Sequence, residues 1–557
     1  MIPPKFLRNI FSGGADTVRD RARAVELVDR RALDAEVRAD VRAFSDETVR
    51  AHAAAHVSLG ATPEGPYDLA LPELLRSHAL VTGSSGSGKT FLVTAILAEV
   101  LGHMARGAPV AVIVFDMKGE ATDLMLRLVS RFAERDPSFA RERLQVLRVF
   151  HGRHLVPWQL LAADPSVAPA AQAQSIAETI EATVRVATGI RQTSALGAVL
   201  LLAIERGWNL VDLRYLIHAP DILARAAESS RFPHLRTYFR DRFVREGAVT
   251  IDGLSARFDV LLGADELKAM FAAQSVAPLL DAFRPGRVTL IDASGAPLGS
   301  RELSRAMGAL FFERLSWCVF DPNRPLSADV LLVGDEIQEA ATERVLGAIE
   351  RIETLGRSFR THLWTVHQTT EQLPRELLNI LSTNISVRIT GRASQRDLSE
   401  LNEFLPATGT LVRPRGAFDP PTRGPQFLSP AEEQRAVGEQ LRRLPRQHFF
   451  VADRRRSFAA RFVRAPDLVV PEWREISQGL RDSLERGAWG VPRETLLNHA
   501  REVEEQAAAL SASASAPPVD APRAPGRSRS RGRVAADDLP PDLPSWGRGR
   551  PGGRGVP

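Results

Sequence analysis

Eight residues from Gly83 to Thr90, GSSGSGKT, match the pattern G-x-x-x-x-G-K-[ST]. Such a loop is built to hold a phosphate chain. Gly83, Gly86 and Gly88, with the small residues Ser84, Ser85 and Ser87 between them, let backbone amides turn inward around the phosphates. Lys89 reaches the β and γ oxygens, and the Thr90 hydroxyl ligates Mg²⁺. A second signal is VLLVGDEIQEA, an apolar run that ends in Asp335–Glu336. An aspartate at the end of a strand can hold the hydration shell of the magnesium, and the next carboxylate can polarise the attacking water. The other reading is that these acids open a helix over 337–344, where negative charge is favourable. A carboxylate directly after the aspartate argues for hydrolysis. The cofactors expected are ATP and Mg²⁺.

A third signal is HLWTVHQ, an apolar strand that ends in Gln368. A polar side chain there either senses the γ-phosphate, as in P-loop ATPases with an additional strand, or caps the next helix. Just upstream, GRSFRTH offers Arg357 and Arg360 as fingers toward a neighbouring subunit's nucleotide, Arg357 being preferred. The chain has only four lysines, Lys5, Lys89, Lys118 and Lys268, among many arginines. Two of the four fall in nucleotide-related motifs, as expected where a compact ammonium is needed.

The elements that must position these groups follow from the apolar pattern. HALVTG (78–83) and PVAVIVFD (109–116) read as strands, the second buried on both faces. RVTLIDA (287–293), DVLLVGDE (329–336), HLWTVHQ (362–368) and ISVRITG (385–391) continue the pattern. Strands separated by helices predict an α/β fold with a doubly wound, mostly parallel sheet and an inserted all-helical domain; with the glycine-rich loop it resembles a P-loop NTPase of RecA-like, additional-strand type. The expected organisation is a charged helical segment over 1–65 and the ATPase core over 66–164 and 286–470. The helical insert covers 165–285, C-terminal strands fall within 405–470, a helical segment covers 471–507, and a disordered Arg/Pro/Gly-rich tail covers 508–557. His52 and His56, at i and i+4, could share a face of the first segment.

Composition narrows the class. Hydrophobic residues at 44% and charged residues at 25% describe an ordinary globular protein. The longest apolar stretch, around Leu196–Ile204, has about half the ~20 residues that a membrane span needs. The N-terminus lacks a signal-peptide pattern, and the single cysteine, Cys318, fits a reducing compartment, so the expected location is cytoplasmic. The formal charge is +5, but residues 508–557 hold eight arginines against four aspartates, so that the rest sums to about +1. A nucleic-acid surface in the folded part must therefore be a local patch.

Together these residues resemble the HerA–FtsK superfamily of ring-forming P-loop ATPases, nearest to its conjugative coupling proteins, type IV secretion ATPases and HerA-like helicases. The resemblance rests on HALVTGSSGSGKT; on FDMKGE, which sets Asp116, Lys118 and Glu120 near the nucleotide edge of the sheet; on the helical insert; on DE followed by the arginine and glutamine; and on LLNILSTNISVRITGR around Asn384 and Arg392. It covers roughly residues 66–415. VPWQLL (156–161) matches the family only loosely, Arg360-Thr361 stands where a glycine is common, and an N-terminal membrane anchor is not expected.

The resemblance implies a homo-hexameric, ATP-driven DNA translocase that grips phosphates irrespective of sequence, with a membrane channel, relaxase or nuclease as possible partner. Two other functions stay open. One is a secretion or pilus-assembly ATPase acting on protein, which a faint likeness of the first residues to the SecA preprotein translocase would suit. The other is an ATP-gated, non-motor subunit of a DNA-repair or phage-defence complex. The tail either adds DNA affinity or serves as a solubilising linker.

Overall fold

A computed structural model of the chain describes residues 55–62, 65–150, 153–184, 190–246, 248–295, 301–370, 373–394, 429–453 and 461–515. The continuous apolar runs become its buried strands. These are β3 (Ala79–Thr82), β4 (Val110–Asp116), β7 (Val288–Asp292), β8 (Asp329–Asp335), β9 (Thr361–His367) and β10 (Val387–Thr390). Ahead of them lie β1 (His56–Thr62) and β2 (Gly65–Ala70); β5 (Leu144–Arg148) and β6 (His154–Leu155) follow β4, and β11 (His448–Asp453), β12 (Arg461–Arg464) and β13 (Val491–Pro492) complete the set.

Eleven strands form one sheet in the order β2-β1-β12-β11-β10-β3-β9-β8-β4-β7-β5. From β10 to β5 the neighbours run parallel, so their carboxyl ends share one edge; β11, β12, β1 and β2 add an antiparallel wing. β9 sits between the P-loop strand β3 and the aspartate strand β8, which is the additional-strand arrangement. Helices fill the stretch from Pro169 to Phe283 between β6 and β7 among the described residues. Both faces of the sheet are packed, one by a cluster that runs into these helices (Phe115, Trp158, Leu196, Phe258, Phe311), the other by the helices Lys89–Ala105 and Glu120–Arg135.

Several expectations need correction. The first 54 residues, with His52, lie outside the described residues, but His56 opens strand β1, so the segment to 65 is not helical throughout. Its glycine at 60, with φ +134°, approaches Arg464 so closely that a Cβ would clash with the carbonyl of β12. The helix Arg493–Ser515 runs past 507, because AAALSASAS offers enough alanine to continue it. The tail beyond 515, and 395–428 in the Pro/Gly-rich excursion, lie outside the described residues. Strand β5 escaped the sequence reading because polar Gln145 interrupts its apolar run; the amide is buried, accepting from Thr289 Oγ1 at 2.5 Å and donating to Asp281 Oδ2 at 2.7 Å. Instead of one helix over 337–344, a short 3-10 turn spans Ile337–Ala340 and an α-helix begins at Glu343, capped by Thr342 Oγ1.

His78 ties three strands together at the amino-terminal edge. Its Nδ1 accepts from the Leu363 amide at 2.9 Å, and its carbonyl accepts from the Ser386 and Val387 amides at 3.1 and 3.3 Å. Burial, helped by Arg357 and His362, holds this imidazole down to a pKa of about 3, against 6.5 in the unfolded chain. A ring that is neutral in the fold and charged in the unfolded chain contributes stability above the unfolded value and loses it as the pH falls toward the folded one. The thermal midpoint is therefore expected to fall between about pH 6.5 and about pH 3 more steeply in the parent than in His78→Asn, as read by calorimetry; parallel curves would refute this.

Candidate active site

The loop after β3 is shaped by its glycines. Gly83, Gly86 and Gly88 take φ of +151°, +74° and +97°, values that side-chain-bearing residues rarely adopt. The Lys89 ammonium folds back onto the Gly83 carbonyl at 2.6 Å and the Ser84 carbonyl at 3.3 Å. Its side chain is buried, and that burial holds its pKa below the usual lysine value despite the nearby Glu336 and Asp335. Ser84 is tied to Arg392 twice: its amide donates to the Arg392 carbonyl at 2.7 Å, and its hydroxyl accepts from Arg392 Nε at 3.1 Å. Ser85 and Gly86 form the exposed rim, while the Ser87 hydroxyl is buried with no partner among the described residues.

The neighbouring strands bring carboxylates to the same edge. Asp292, Asp116 and Asp335 stand in register across β7, β4 and β8 and are all buried. Each is managed differently. Asp116 accepts amide protons from Lys118, Gly119 and Thr122 at 2.8–2.9 Å, so it shapes the turn and does not face the cleft. Asp292 accepts from Arg148 Nε at 3.1 Å and from Ser294. Asp335 has its pKa pushed well up, first by burial and then by Asp116 and Glu336, with Lys118 and Lys89 opposing. A buried carboxyl raised in this way fits a site for a divalent cation, whose charge would return it to the ionised form.

Glu336 is the residue held under most constraint. Its backbone sits in the left-handed region at φ +54°, its amide pairs with the Val366 carbonyl at 2.9 Å, and its side chain is buried. Lys118 Nζ meets Oε1 at 2.8 Å, and Gln338 Nε2 donates to Oε2. A non-glycine residue at positive φ costs of order 1–3 kcal/mol and survives where its surroundings impose it, often at functional sites.

These groups open on one cleft of about 670 Å³, lined by Ser85, Gly86, Gly88, Lys89, Thr90, Lys118, Glu120, Asp335, Glu336 and Gln368 among others. The structure thus gathers the loop, the acid pair and the glutamine. Ser84 and Ser87 shape the loop from behind, and Gly83 begins it. Thr90 and Asp335 both face the cleft, as a shared Mg²⁺ would require. The cleft can seat a triphosphate against Lys89 and hold a water near Glu336.

Arg357 is not brought to this cleft. It lies at the amino-terminal end of β9, with the seven residues of that strand, roughly 23 Å of extended chain, between it and Gln368. There its guanidinium donates to the Asn384 carbonyl at 2.8 Å and to Ser386 Oγ. It does not line the cleft of its own chain. Arg360 is a structural partner of Asp329, bonded at 3.2 and 2.6 Å. Sequence reasoning missed Arg148 and Arg446, which also line the cleft, and Gln338. Arg446 is aimed by its neighbour Gln447, which takes φ +63° and donates its amide to the Ser87 carbonyl at 2.8 Å. Only the fold joins these two segments.

The chain is similar to several known proteins. Residues 58–186 match the family model described as helicase HerA, central domain. No curated protein sequence matches. Among solved structures, VirB4 of Thermoanaerobacter pseudethanolicus matches with 14% identity and a TM-score of 0.49, over 74% of this chain and 97% of that one. The bacterial conjugative coupling protein TrwB, in an unbound form lacking its first segment, matches with 15% identity and a TM-score of 0.46, over 75% and 90%. TrwB in complex with ADP and Mg²⁺ matches with 16% identity and a TM-score of 0.44, over 72% and 88%. The match to the HerA central domain falls on the segment that carries the P-loop.

Proposed function

We propose that this protein is an ATP-hydrolysing DNA translocase that works as a homo-hexameric ring. The observation that carries the reading is the single cleft where Lys89, Thr90, Asp335, Glu336 and Gln368 converge. Lys89 would give up the Gly83 and Ser84 carbonyls to hold the β and γ oxygens, and Thr90 and Asp335 would hold Mg²⁺. The metal, when bound, neutralises charge that develops between the phosphates. Glu336 orients and polarises the attacking water, and Gln368 contacts the γ-phosphate. Because Arg357 lies away from its own cleft, its role as a finger requires the next subunit, and the ring supplies it.

The proposed division of labour assigns 66–164 and 286–470 to the ATPase core and 165–285 to a helical insert that moves against it. DNA would be gripped through its phosphates, so binding would be independent of sequence and weakened by salt. A membrane channel, a relaxase or a nuclease would provide the context. Among the described residues no helix is long and apolar enough to cross a membrane. The protein-secretion reading draws on one observation, the near-neutral charge of the chain before residue 508. Stimulation of turnover by DNA separates the two readings.

Lys89→Ala should abolish binding of ATP, measured by fluorescence of a labelled analogue, while far-UV circular dichroism stays as in the parent. Glu336→Gln should bind ATP and accumulate as an assembled ring, visible as oligomeric mass in light scattering; hydrolysis at the parental rate would remove Glu336 from the role of base. Duplex or single-stranded DNA should raise the ATPase rate of the parent, with the effect shrinking steeply between about 50 and 200 mM salt. A rate indifferent to DNA would favour a protein cargo.

A further inference from the structure

Beyond the convergence of expected groups, a buried side-chain path runs from the end of β9 to Glu336. Gln338 is 8% exposed and lies on the 3-10 turn that follows the acid pair. Its Nε2 donates to Glu336 Oε2, and its Oε1 meets His367 Nδ1. A carbonyl oxygen only accepts, so Nδ1 carries the proton of this imidazole. That bond fixes the orientation of the amide and leaves its NH₂ facing the carboxylate. His367 is fully buried and stays neutral, with its pKa held down to about 3 by burial and then by Lys89.

His367 is the last residue of β9, and the next residue, Gln368, lines the nucleotide cleft. Two side-chain hydrogen bonds thus connect the strand that carries the glutamine with the carboxylate expected to act on water. On its other oxygen, Glu336 is held by Lys118 at 2.8 Å, from a side chain about one third exposed toward the cleft. An incoming phosphate can compete for that ammonium. The carboxylate would then keep only the Gln338 bond, whose direction is set through His367.

We propose that Gln338 is a positioning residue: through His367 it makes the orientation of Glu336 depend on the end of β9, where Gln368 meets the terminal phosphate of a nucleoside triphosphate. The inference rests on the reading of Glu336 as the group that polarises water. Lys118 parks the carboxylate while the phosphate is absent, and the Gln338–His367 path aims it once the phosphate has displaced Lys118.

The test uses the full chain and ATP, with steady-state turnover and binding of a non-hydrolysable ATP analogue measured for the parent, Gln338→Leu, Gln368→Ala and the double variant. Gln338→Leu should lower kcat roughly 10- to 100-fold with KM and analogue affinity within about 3-fold, since misorientation and not binding is altered. The double variant should be no slower than its slower parent variant, because both changes break one path. A kcat within about 2-fold of the parent for Gln338→Leu, or losses that multiply in the double variant, overturns the proposal. If Gln338→Leu does not fold, His367→Asn and His367→Leu read the same bond. Asparagine can replace the Nδ1–H donor, so a near-parental rate for it beside a loss for leucine supports the path, and equal rates overturn it. A parent without ATPase activity would overturn the functional reading and this proposal together, whereas an active parent matched by Gln338→Leu overturns this proposal alone.

Discussion

Three aspartates side by side at the carboxyl ends of β7, β4 and β8 set the terms for everything around them. Buried carboxylates in adjacent strands repel, and burial alone disfavours their charge. The structure resolves this with a different device for each. Backbone amides of the Lys118 turn surround Asp116, the guanidinium of Arg148 meets Asp292, and Asp335 is left to face the cleft. The shape of the turn at Gly119, with φ +83° and Ser294 Oγ 2.9 Å from where a Cβ would stand, follows from the first device. The fit of Asp335 to a cation follows from the third. Lys118 enters the site because Asp116 holds its turn in place.

The same edge explains the order of the strands. A parallel sheet puts all carboxyl ends on one side, and β9, lodged between β3 and β8, places Gln368 between the phosphate loop and the acid pair. The amino-terminal edge carries the opposite function, holding the sheet together through His78, Asp329 and Arg360. Arg357 lies on that edge, so the cleft-lining Gln368 and this arginine stand at opposite ends of β9.

Much of this was legible in the sequence, for physical reasons. Strands buried on both faces are mostly apolar, and β4 and β8 announced themselves by uninterrupted apolar runs. The loop at Gly83–Thr90 was legible because few other residue types permit its backbone. Strands with mixed surroundings were not. Gln145 satisfies its amide inside the core and so hid β5, and the glycine-bearing strand β1 follows a segment rich in charge. Gln338 was illegible for a different reason. A glutamine two residues past an acid carries no signal until β9 brings His367 beside it. The geometry of Arg446 depends on a segment more than 350 residues downstream of the loop it meets.

The Ser87 carbonyl receives its bond from Gln447, and a Cβ on the glycine at 88 would stand 3.2 Å from Gln447 Cγ. β1, near the start of the described chain, pairs with β12 near its end. A ribosome that has finished the phosphate loop has therefore made only its inner wall; the outer wall emerges hundreds of residues later. The order of synthesis leaves the loop unbraced through most of translation, and completion of the C-terminal hairpin is the event that closes it.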